Sequence, residues 1–108
     1  MTEAAPSPAV RAMIHAATAL VANAWQASDA WREDFALLAR VLPAVPHGGA
    51  WLDLRLACAE IVAARTAGDT DRWRRASDGL RFAVERYHRR AMIHFWAQMP
   101  EARADHAG

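Results

Sequence analysis

Between Gly68 and Pro100 the chain has no proline and a single glycine, Gly79, and its large apolar residues return every three or four positions. A run of that length and period predicts one long α-helix, about 40 Å at 1.5 Å per residue. The expected span is Asp71 to Gln98, with Asp69 or Thr70 as the N-cap. Gly79 is its weak point, costing about 1 kcal/mol relative to Ala. A kink there is the alternative to a continuous helix.

The rest of the chain keeps the same period. Ser7 followed by Pro8 is a helix start, a hydroxyl cap before a proline in the first turn. The first helix is expected from Pro8 to Ala27, with Val10, Met13, Ile14, Ala17, Leu20, Val21, Ala24 and Trp25 on one face. Ser28 and Asp29 can cap a second helix from Ala30 to Leu42, whose stripe is Trp31, Phe35, Leu38 and Leu42. Pro43 and Pro46 stop it. A third helix, Ala50 to Ala67, is apolar on two sides: Trp51, Leu54, Cys58, Ile61 and Val62 on one, Leu52, Leu56, Ala59 and Ala63 on the other. Such a helix is central, or it meets a partner. Gly68 closes it as a C′ residue.

No segment shows period-two alternation. The connections between helices 1 and 2 and between helices 3 and 4 are short, which makes antiparallel hairpins. The predicted fold is all-α: a small bundle of four helices, two antiparallel hairpins, with a long C-terminal helix. Residues 7–99 are read as its single domain, 1–6 as a disordered leader and 100–108 as a flexible tail.

Composition narrows the class. A chain of 108 residues with 54% hydrophobic and 23% charged residues is enough for one core. No stretch is long and apolar enough to cross a bilayer, so no membrane partner is expected. The N-terminus lacks a basic region before an apolar core and does not read as a secretory signal. The one cysteine, Cys58, lies in an apolar run and reads as a small buried side chain in a reducing compartment, taken to be the cytoplasm. All 13 basic residues are arginine and the net charge is +1. The positive charge is uneven: residues 65–96 carry eight arginines against four acids.

Stepping the last helix by 100° per residue gives two unlike faces. Trp73, Ala76, Leu80, Ala83, Val84, Tyr87, Ala91 and Phe95 share the core face. Roughly opposite lie Arg75, Phe82, Arg86, Arg89, Ile93 and Trp96, spaced from Phe82 onward as a heptad seam. Large apolar groups on a back face are unusual for a monomer. They suit a protein interface of Phe82, Arg86, Arg89, Ile93 and Trp96, since aromatics and arginine dominate binding hot spots. The expected function is therefore a non-enzymatic interaction and assembly module that self-associates, as a dimer, or docks on a larger partner. The alternative is a small accessory subunit of a nucleoprotein complex, touching nucleic acid through Arg72, Arg75, Arg86, Arg89 and Arg90. The low net charge and the acids Asp78 and Glu85, able to pair with arginines one turn away, weigh against it. A third reading makes Phe82, Ile93 and Trp96 plain core, covered by helix 1 or the tail.

Motifs for chemistry are missing. Glu85 and His88 form a single Glu-x-x-His, where di-iron bundles need two with further carboxylates. Gly48-Gly49 lacks the residues of a phosphate loop. No Ser or Cys nucleophile has a neighbouring base. No enzyme, metal or cofactor is expected, although His94 and Tyr87 mark where a ligand inside the bundle would sit.

Overall fold

The computed structural model describes residues 7–23 and 30–97, with backbone alone for residue 30 and residues 94–97. The expected leader, the whole of the expected tail, Trp25, the expected caps Ser28 and Asp29, and the side chains of His94, Phe95 and Trp96 lie outside the described residues. The fold is an all-α bundle. Its helices are α1 (Pro8–Asn23), α2 (Ala30–Val41), α3 (Leu52–Ala67) and α4 (Thr70–Ala97), with a 3₁₀ turn at Leu42–Ala44.

Local chemistry sets the boundaries. Ser7 Oγ accepts from the Val10 amide at 3.3 Å and caps α1. Asp69 is the cap of α4: its carboxylate accepts from the Arg72 amide at 3.0 Å. α2 stops one residue earlier than the apolar stripe suggests. Pro43 has no amide to give and its ring excludes the residue before it from α geometry, so Leu42 enters a 3₁₀ turn. α3 starts two residues later than expected, after a turn in which Gly49 has φ +89°. The positive φ favours glycine here; a Cβ would lie 3.2 Å from the Trp51 indole, which would have to shift by a few tenths of an ångström.

The two interior glycines near α4 behave oppositely. Gly68 ends α3 at φ +69°, with its amide bonded to the Ala64 and Arg65 carbonyls. Gly79 sits inside an unbroken α4, and a methyl group there would meet nothing within 4 Å. Gly68→Ala is expected to destabilise the protein by about 1 kcal/mol and Gly79→Ala to stabilise it by a similar amount. Thermal melts of the two variants check this; a fall in Tm for Gly79→Ala would mean that α4 needs its glycine.

The hairpins meet across an aliphatic core. α1 supplies Val10, Met13, Ala16, Ala17 and Leu20, α2 Leu38, α3 Leu54, Cys58, Ile61 and Ala64, and α4 Ala76, Leu80, Ala83 and Val84. Leu42 and Val45 close it below the loop, where Arg55 donates to the Val45 and Leu42 carbonyls at 3.1 and 3.3 Å. Trp31, Phe35 and Trp73 form an aromatic cluster with ring centroids 5.9 to 6.4 Å apart.

Two expectations need correction. Of the two readings of α3, the central one does not hold: on its second face Leu52 and Leu56 are exposed, while Ala59 and Ala63 are half-buried. Ala91, placed on the core face by periodicity, is also exposed. The cause is length. α3 begins at Leu52, level with Arg86 across the hairpin, so the last turns of α4 have outrun their neighbour.

Candidate functional site

The back of α4 carries its large apolar groups into solvent. Phe82 is 65% exposed, Ile93 62% and Met92 55%, and on α3 Leu56 is 57% exposed. Phe82, Arg86, Arg89 and Ile93 all stand on the exposed side, as the heptad spacing predicts. Phe82 and Ile93 are thus not core. The fifth residue of the seam, Trp96, has no described side chain.

α3 adds to this face, which periodicity on α4 alone does not reveal. Asp53 lies 3.7 Å from both Arg86 and Arg90, fixing the register of the hairpin. From that pair, three residues forward on α3 and four back on α4 lead to Leu56 and Phe82. Both steps run one turn towards the connection, so the two side chains stand at one level on the outer side of the hairpin. The signal in the sequence was the second apolar face of α3.

The arginines fare unequally. Arg72 grips Glu60 with two hydrogen bonds, 2.8 and 3.0 Å. Those bonds hold the Glu60 carboxyl below its ordinary value, with the charges of Arg72 and Arg75 adding to the effect. A lowered carboxyl stabilises the fold above the ordinary Glu value of 4.5, and that contribution fades as pH falls through the lowered one. Arg86 and Arg90 share Asp53. Arg75 and Arg89 have no ion pair among the described residues. The partnering acids are on α3, whereas spacing within α4 pointed to Asp78 and Glu85.

Other chemistry-bearing groups have structural roles. The Thr18 hydroxyl donates to the Ile14 carbonyl at 2.7 Å, so its oxygen accepts from His88 Nε2–H at 3.0 Å and ties α4 to α1. No group of three or more metal-capable side chains gathers among the described residues. Cys58 is buried, and burial pushes its thiol up to about 12. It is expected to resist thiol reagents at neutral pH until the protein is denatured. Labelling with and without denaturant measures this; rapid labelling of the native protein would mean that α3 opens readily.

No protein-family model matches the chain, and no curated protein or solved structure is similar to it.

Proposed function

We propose that this chain is a protein-interaction and assembly module, and that it self-associates through the outer face of the α3–α4 hairpin. The observation that carries this is the exposure of Phe82, Ile93, Met92 and Leu56 on one hairpin, with Arg86 and Arg89 between them. A monomer gains nothing by leaving such groups in water, while burying each against a partner is worth about 1.5–3 kcal/mol. Aromatic, methionine and arginine side chains are also the types enriched in interface cores. The nucleic-acid alternative has less support. Of its five arginines, Arg72, Arg86 and Arg90 already face carboxylates, which lowers the charge available to phosphates.

The test is the mass in solution by light scattering. A dimer or larger species is expected. A mass of 11.9 kDa that persists up to about 100 μM, where interfaces of micromolar Kd are largely formed, would overturn self-association. Retardation of DNA or RNA with a steep salt dependence would instead favour the alternative.

A further inference from the structure

Away from that face, the four helices leave a cleft of about 390 Å³ at the end of the bundle where both hairpins turn. That is within the size range of small-molecule sites. Its depth is apolar: Leu20, Ile61 and Leu80 line it and are themselves buried. Trp31 and Trp73 also line it, their ring centroids 5.9 Å apart. Its exposed margin holds Arg65, Arg74 and Asp78, with the half-buried Arg81 beside them.

Apart from Arg81, the charged lining is two guanidinium groups, Arg65 and Arg74, to one carboxylate, Asp78, among the described residues. Arg65 lies over both indoles, 5.0 Å from the centroid of Trp31 and 6.0 Å from that of Trp73. Cation–π attraction holds a guanidinium in place without consuming its N–H donors. Neither Arg65 nor Arg74 has an ion pair among the described residues. The two indoles would suit a cationic ligand, but Arg65 already occupies that role. An apolar floor under donors of one sign calls for a molecule with an apolar body and an anionic head.

We propose that this cleft binds an amphipathic carboxylate, its apolar part over Leu20, Ile61 and Leu80 and its head against Arg65 and Arg74. The site does not depend on self-association.

The test titrates the full-length protein with decanoate below its micelle concentration. Decanol and decylammonium serve as neutral and cationic counterparts. Tryptophan fluorescence reports occupancy and calorimetry the stoichiometry. One decanoate per chain is expected, with decanol bound roughly ten-fold more weakly, the scale of a charge-assisted hydrogen bond. Arg74→Gln, which leaves the aromatic cluster intact, is expected to lower decanoate affinity by a similar factor and decanol affinity little. Arg89→Gln, on the outer face, is expected to change neither. Decanoate that fails to saturate, decanol bound as tightly as decanoate, or an Arg74→Gln protein that binds decanoate like wild type would each overturn the proposal.

Discussion

The double substitution Phe82→Glu with Leu56→Glu is expected to abolish the proposed self-association and leave a folded monomer. Both side chains are more than half exposed and stand at one level of the hairpin. In a self-associated form they would be buried, and a carboxylate in either place would lose its water without gaining a partner. Truncating a hot-spot residue typically costs ~2 kcal/mol or more, so two of them would weaken association roughly a thousand-fold. The monomer itself should lose little: at position 56 the new carboxylate lies one turn from Asp53 and Glu60, and such exposed like-charge pairs cost about 0.2–0.5 kcal/mol each. Glutamate is a good helix former, and a carboxylate at position 82 lies one turn from Arg86. Light scattering and a thermal melt read the two effects separately. A variant that keeps the wild-type mass and Tm would show that association, if present, uses another surface. A variant that unfolds would show that Phe82 and Leu56 belong to the fold.

The second large effect separates two leucines on one helix. Leu54 is 2% exposed, while Leu56 faces outward two positions later. Leu54→Ala is expected to cost ~3 kcal/mol, since it removes buried methyl groups and leaves a cavity that the helices cannot fully close. A protein of this size holds about 5–15 kcal/mol in all, so that loss should lower Tm by about 10–20 °C. Leu56→Ala should stay within ~0.5 kcal/mol in the monomer, as surface substitutions do. Chemical denaturation of the two variants, each made in a Phe82→Glu background, checks the contrast. Equal losses would mean that both faces of α3 are covered in solution, and the outer face would no longer be open to a partner.

Much of the fold was legible because it rests on local chemistry. The Ser7 and Asp69 caps, the proline stop after α2 and the Gly68 terminus each need only neighbouring residues. The buried stripe of α4 up to Val84 follows from its period. The exposed side of the seam, with Phe82, Arg86, Arg89 and Ile93, was legible for the same reason.

The rest depended on distance in space rather than in sequence. Asp53 and Glu60, not the acids of α4, engage Arg86, Arg90 and Arg72, because antiparallel packing brings α3 alongside. His88 meets Thr18 across two helices. Trp31 and Trp73 close on Arg65 beside a cleft that no one segment encodes.

The long C-terminal helix itself follows from sequence alone: a capped, proline-free run whose apolar period outweighs one glycine. How far along the helix its core face stays buried was decided only by the tertiary structure. Periodicity assigns each side chain a direction. Burial also needs a neighbour in that direction, and α3 is too short to supply one for Ala91.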